Sequence, residues 1–220
     1  MPQLTLFLAR HGESVSNYKN IFIGRSEDPE LTEKGICQAR SLAESLKGKR
    51  IAAIYSSTLL RAQQTAQIIG SKIDLPVINS EDLIEVGLGA LDGHDIGVPA
   101  YQSVYKDMVA NWENGYPQVC VLDGESLLDV KLRLQRFLDN HLLNKQWDGA
   151  VLLVGHAITW MSFIWAFCIN PPSKIHDGFM SKTHLSIISK TKDRFHLINN
   201  NLDHKEIMEF ENSDFKKNLD

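Results

Sequence analysis

The sequence predicts an α/β fold of three layers, with helices doubly wound on both faces of a mostly parallel sheet and a small lid-like insertion. Short aliphatic runs of strand length alternate with amphipathic stretches of helical period. The runs are apolar at successive rather than alternate positions, which suits strands buried on both faces. Three of them end in polar residues just before a helical stretch, as strands of such sheets do.

In chain order, residues 4–9 form the first aliphatic run, which ends in Arg10-His11-Gly12. Residues 32–46 place Ile36, Ala39, Leu42, Ala43 and Leu46 on one helical face. Residues 51–55 form the second run, which ends in Ser56-Ser57 before a helical stretch that holds Arg61. Residues 94–123 depart from the alternation and read as an insertion, with one helix over 101–112 carrying Tyr101, Tyr105 and Trp112. Residues 126–143 place Leu127, Val130, Leu134, Phe137 and Leu138 on one face. Residues 151–154 form the third run, ending in Gly155-His156 before an apolar helix over 157–167. Residues 184–189 and 195–199 read as two strands joined by a polar turn. Residues 1–199 therefore read as one domain, and 200–220 as a charged tail, either a frayed helix or disordered.

The chain has 220 residues, enough to bury a full core without disulfides or a structural metal. Its formal charge of −4 excludes the basic surplus of a nucleic-acid binder. The three cysteines, Cys37, Cys120 and Cys168, are odd in number and widely spaced, which argues against a disulfide framework or a zinc site and for a reducing compartment. The N-terminus lacks the basic and apolar regions of a secretory signal. The longest apolar stretch, 157–169, is broken by Thr159 and Ser162 and is too short to span a bilayer core of about 30 Å. The expectation is a cytoplasmic protein with no membrane or nucleic-acid partner. The sequence carries no signal for an oligomeric state.

Ligands of open α/β sheets bind beyond the carboxyl ends of the strands. Here those ends carry Arg10 with His11, then Arg61, then His156. Taken alone, a histidine at a strand end is ordinarily a hydrogen-bonded structural residue, and an arginine early in a helix is a solvated charge. Two of each at matching junctions, with helix N-termini at the same edge, describe a site for a dianionic phosphoryl group.

The motifs also carry a resemblance. Leu8-Ala9-Arg10-His11-Gly12-Glu13-Ser14 with Asn17 resembles the signature of the histidine phosphatase superfamily, on its phosphoglycerate-mutase-like branch (branch 1). Leu31-Thr32-Glu33-Lys34-Gly35 is similar to the family's next segment, and 56–66, with Arg61, to the one after it. Glu85 stands ahead of Gly89-Ala90-Leu91-Asp92-Gly93 where the family keeps its acid, and Gly124-Glu125-Ser126 and Val154-Gly155-His156 follow in family order. The resemblance runs from about Leu4 to Ser189. It implies the phosphoglycerate-mutase-like fold and a phosphomonoester substrate. His11 would be the nucleophile that becomes phosphohistidine, and Arg10, Arg61 and His156 would hold the phosphoryl oxygens. Glu85 would be the proton donor, and Asn17 and the backbone at Gly24 would line the substrate pocket. No cofactor or metal is implied, because fixed cations can stabilise the charge of the transition state. Leu88, Asp92 and Ala157-Ile158 depart from the family pattern and bear on the shape of the pocket rather than on the chemistry.

Glu85 has acidic neighbours in Glu81, Asp82, Asp92 and Asp95 as competitors for the acid's role. Ser14 and Ser57 read as helix caps, and Gly12, Gly35 and Gly93 as turn residues. Tyr101, Tyr105 and Trp112 read as core or as a lid over the substrate. His94 and His176 read as surface or structural, while His184 falls near the site. The leading expectation is a phosphatase of a small phosphorylated metabolite. A phosphoglycerate mutase is the alternative, disfavoured because 94–123 holds only Lys106 against Asp95, Asp107, Glu113 and Asp123, although Arg25 could compensate. A non-catalytic phosphate-binding module is the second alternative.

Overall fold

The computed structural model describes residues 4–192 and 194–210. Six strands form one sheet: β1 (Leu4–Arg10), β2 (Ile51–Ser57), β3 (Val77–Ser80), β4 (Ala150–Gly155), β5 (Leu185–Thr191) and β6 (Arg194–Leu202). Their order is β3-β2-β4-β1-β5-β6. The first four in this order run parallel to one another, while β5 and β6 are antiparallel additions beside β1.

Two apolar clusters flank the sheet, as continuous aliphatic strands require. Phe7, Ala9, Leu152, Val154 and Ile54 face Leu42 and Ala43 of α2 (Glu33–Ser45), its C-cap Leu46, and Ala62, Ala66 and Ile69 of α3 (Leu60–Ile73). Leu6, Leu8, Val151 and Leu153 face the opposite layer, which includes α4 (Pro99–Glu113), α5 (Leu127–Phe137) and α6 (Ala157–Phe167). The sheet and two helix layers match the α/β architecture expected from sequence. The predicted helix over 32–46 is α2 with its caps: Thr32 accepts from Gly35 N–H (3.0 Å). That over 126–143 is α5, capped by Ser126 and Asp129 and continued by a π-helical turn at Leu138–Leu142.

The sequence reading missed two elements. One is β3, a four-residue edge strand whose Ile78 is exposed, so it lacks the apolar run that marks the inner strands. The other is the short helix α1 (Val15–Tyr18), which Ser14 and Asn17 cap reciprocally. Structure also continues past residue 199. Strand β6 runs to Leu202, and a further helix, α7 (His204–Glu209), is capped by Asp203 and buries Ile207 against the face of α2. The first residues of the expected tail thus belong to the fold, because Ile207 and Phe210 bring apolar surface to it. The remainder, 211–220, lies outside the described residues. Among the described residues, no helix is long and apolar enough to cross a membrane.

Candidate active site

Parallel pairing fixes the site before any side chain is considered. Arg10 is in register with Gly155, and Ser56 with Val154, so β1, β4 and β2 end side by side at one edge. His11, His156 and the start of α3 follow from those ends. His11 N–H donates to Gly155 O (3.0 Å), tying the two histidine-bearing junctions together. The rings of His11 and His156 then meet edge to face at 5.2 Å.

Close backbone approach holds the loop after His11. A Cβ on Gly12 would lie 2.4 Å from Gly35 O, and one on Gly35 2.1 Å from Glu13 O. These glycines permit contact between the loop and the start of α2 rather than a turn; Gly93, at φ 84°, is the turn residue. Glu13 secures the same contact, accepting from Thr32 Oγ1 and Lys34 Nζ at 3.1 Å each.

His11 is buried, with Nδ1 2.6 Å from Gly12 O. A carbonyl can only accept, so Nδ1 carries the ring proton and Nε2 keeps its lone pair. Burial, then Arg61 and Arg10, hold the ring well below its ordinary pKa, so it is neutral. A neutral imidazole with one bare nitrogen beside two guanidiniums is a nucleophile set against an anion site.

Arg10 anchors through Nη1 to Met180 O (2.8 Å) and stacks on Phe179 at 5.0 Å. Burial pushes its pKa down to about 10, with Glu85 opposing and Arg61 adding to the shift; the guanidinium is cationic at neutral pH. Arg61, in the first turn of α3, is 1% exposed and donates through Nη2 to Gly24 O (2.9 Å). Its Nη1 lies 3.9 Å from the Asp28 carboxylate, too far for a hydrogen bond. His156 Nε2 meets Ser57 Oγ at 2.8 Å, and burial first, then Arg61, hold it neutral. Ser57 was expected to cap a helix. It lies inside β2 and orients His156, a role that only the pairing of β2 with β4 makes visible.

Glu85 enters from the loop after β3. Its Oε1 accepts from Thr159 N–H (2.9 Å) and Thr159 Oγ1 (3.0 Å), and its Oε2 from Ile158 N–H (3.3 Å). It therefore caps α6, whose own N-cap residue, His156, makes no side-chain capping bond. Behind it, Arg133 reaches Thr159 Oγ1 (3.3 Å) and is itself held by Glu125 (3.1 Å). Of the acids competing for this position, Asp82 pairs with Arg136, Asp92 accepts from Gly24 N–H (2.5 Å), and Asp95 accepts from Asn20 Nδ2 (3.1 Å).

A cavity of about 440 Å³ opens over these groups, and Arg10, His11, Asn17, Arg61 and Glu85 line it. Four buried polar atoms at the site lack a hydrogen-bond partner among the described residues: Arg10 Nε, Arg61 Nη1, His156 Nδ1 and Tyr105 Oη. Arg10, Arg61 and Tyr105 line the cavity and can meet an oxyanion; His156 is outside its lining and meets the site through its ring contact with His11. A larger, more open depression of about 620 Å³ between α2 and α3 has Glu44, Lys72 and glutamines on its rim and none of these groups.

Two expectations change. Gly24 does not line the cavity: its N–H is taken by Asp92 and its carbonyl by Arg61, so it positions the arginine instead. Arg25 does not compensate for a lack of pocket cations, because it pairs with Glu125 outside the cavity. Asn17 lines the wall; its Oδ1 accepts from Ser14 N–H, which leaves its amide N–H groups for a ligand. His184 contributes through its backbone, Arg10 N–H donating to its carbonyl (3.3 Å), while its ring faces Asn201 O. Sequence reasoning missed the cavity wall itself. His176 and Phe179 come from a turn after α6, and residues 21–23 come from a segment that pairs with 93–96. Trp112 is core, whereas Tyr105 of the same helix faces the cavity.

With this geometry in view, a model described as the histidine phosphatase superfamily (branch 1) matches residues 6–203. A 2,3-bisphosphoglycerate-dependent phosphoglycerate mutase of Methylobacterium sp. (strain 4-46) is 39% identical over 68% of this chain and 73% of its own length. Among solved structures, a phosphoserine phosphatase from Entamoeba histolytica, in complex with 3-phosphoglyceric acid, is 28% identical with a TM-score of 0.74, over 91% of this chain and 98% of that one. A mycobacterial glucosyl-3-phosphoglycerate phosphatase is 25% identical with a TM-score of 0.73, over 91% and 100%.

Proposed function

From membership of branch 1 of the histidine phosphatase superfamily, to which this chain belongs, we propose that it is a phosphatase of small phosphomonoesters working through phosphohistidine at His11. The observation that carries this reading is the neutral His11, its Nδ1 proton given to Gly12 O, beside Arg10 and Arg61.

In the first step the Nε2 lone pair forms a bond to phosphorus. The bond from phosphorus to the ester oxygen breaks, and that oxygen takes its proton from Glu85. In the second step water attacks phosphorus, Glu85 takes a proton from it, and the N–P bond breaks to regenerate neutral His11. Charge on the equatorial oxygens is met by the guanidiniums of Arg10 and Arg61 and by the free donor of His156. In this scheme Ser57 Oγ, which accepts from Leu59 N–H (3.2 Å) and lies 2.8 Å from His156 Nε2, donates to that nitrogen, which puts the ring proton on Nδ1. Oε1 of Glu85 already accepts from Thr159, so Oε2, with one long hydrogen bond, is the oxygen that exchanges the proton.

No metal or cofactor enters this scheme, and the substrate is the one partner it requires. The exposed free thiols of Cys37 and Cys120 favour the cytoplasm as its compartment. A mutase is the second reading, favoured by the name of the 39%-identical relative. The test is release of inorganic phosphate from a panel of phosphomonoesters in EDTA, with phosphoglycerate isomers quantified in parallel. Phosphate release unaffected by EDTA is expected. Isomerisation outpacing release would favour the mutase, and a strict need for added metal would refute the scheme.

A further inference from the structure

We propose that the ester this site takes is that of an apolar alcohol, with an aromatic or branched hydrocarbon body and no second anionic group close to the phosphate. The inference rests on the phosphatase reading and adds the leaving group to it.

Beyond the groups that meet the phosphoryl end, the cavity wall is largely hydrocarbon, with Gln102, Tyr105, Lys106 and His176 as its polar members. Phe22, Ile23, Leu88 and Ile96 line the cavity, and Ile158, whose N–H donates to Glu85, lies beside the acid. Phe179 is a large apolar side chain left 36% exposed, its ring fixed by the Arg10 guanidinium at 5.0 Å and by His176 at 5.7 Å. A wall of this kind gains by covering apolar surface and returns nothing to a charge.

A carboxylate a carbon or two from the phosphate would need a cation, and all but one of those nearby are committed. Arg25 pairs with Glu125, and Lys34 pairs with Glu13, which Lys182 also approaches (3.9 Å). Arg10 and Arg61 serve the phosphoryl group. Lys106 is the remaining amine in the wall, and it sits exposed on α4. A carboxylate placed here would therefore face Glu85 and hydrocarbon, with only the solvent-exposed Lys106 amine left to meet it. Tyr105 adds a buried polar group: burial, then Glu85, raise its pKa, so its unpartnered hydroxyl stays protonated and can donate to an ester or phosphoryl oxygen. Leu88 and Ile158, which depart from the family pattern in the sequence, are both part of this wall.

The test compares kcat/KM for benzyl phosphate and 3-phosphoglycerate, both of which release an alkoxide, so leaving-group acidity does not decide the ratio. Benzyl phosphate should win by at least about tenfold, the discrimination a hydrocarbon pocket can give. Ile96→Lys, which puts a cation into the wall, should move the ratio toward 3-phosphoglycerate by a similar factor. Gln102→Arg, at a half-buried position of α4 that also lines the cavity, serves if the first variant misfolds. Equal rates, or preference for 3-phosphoglycerate with phosphate still released, would overturn the inference and leave the phosphatase reading standing. If neither ester is hydrolysed, that reading fails. Binding of benzylphosphonate against 3-phosphonopropionate by calorimetry then judges the wall, and tighter binding of the second would overturn the inference as well.

Discussion

Glu85→Gln separates the proton assigned to this residue from the structural work it does. The carboxylate accepts from Val86 N–H (2.9 Å), from Thr159 N–H and Oγ1 (2.9 and 3.0 Å), and from Ile158 N–H (3.3 Å). Glutamine keeps an oxygen for the first three and turns an NH₂ toward Ile158 N–H. The loss is one long hydrogen bond to a charged group, about 1.5–3 kcal/mol, which for a chain of this size lowers Tm by about 3–12 °C. The variant should fold. Its catalysis should suffer far more, because a positioned general acid contributes roughly 10²–10⁴-fold, and kcat for an alkyl phosphate should fall by that factor. With 4-nitrophenyl phosphate the departing phenolate needs no proton. The first-turnover burst, followed by stopped-flow absorbance, should survive while the following steady state, which needs Glu85 as base, slows. A burst lost in the same proportion as alkyl turnover, or an alkyl loss below about tenfold, would refute the assignment of the acid.

Two further outcomes follow from the buried site. His11 and His156 are held neutral in the fold but titrate near 6.5 when unfolded, so the unfolded state binds more protons as pH drops below that value. Stability should fall from about pH 6.5 downward, by up to about 1.4 kcal/mol per pH unit for each ring. His204, whose pKa burial also lowers, adds a smaller share. Urea melts from pH 7.5 to 5.5 measure this, and a flat profile would contradict the neutral pair. Gly35→Ala places a methyl 2.1 Å from Glu13 O. It should cost about 1–3 kcal/mol and lower kcat through the His11 loop; an unchanged melt would remove the packing account of that loop.

Much of this site was legible in the sequence because its parts are local. Arg10 and His11, Arg61, and His156 each follow a strand whose aliphatic run is visible, and parallel pairing does the rest. Glu85 was identified by resemblance alone, since its work is to cap a helix more than seventy residues away in sequence (a separation of 73 to Ile158). Ser57 and Gly24 were misread for the same physical reason: a cap, a wall and a positioning group look alike until the partner is known. The apolar wall was hidden because residues 21–23, 88, 96 and 179 belong to loops without periodicity, brought together by pairing of 20–22 with 93–96. Trp112 and Tyr105 share a helix, yet one is core and one faces the cavity, which spacing does not decide.

Phosphoryl transfer to His11 is tested most directly by trapping the intermediate. Enzyme mixed with substrate and quenched within milliseconds under denaturing, alkaline conditions, where phosphohistidine survives, is digested and its peptides are weighed. One phosphoryl group should appear on the peptide containing His11, rise before product release reaches steady state, and be absent from His11→Asn, which should not turn over. Undiminished phosphate release by His11→Asn, or a phosphoryl group on another residue, would contradict the mechanism.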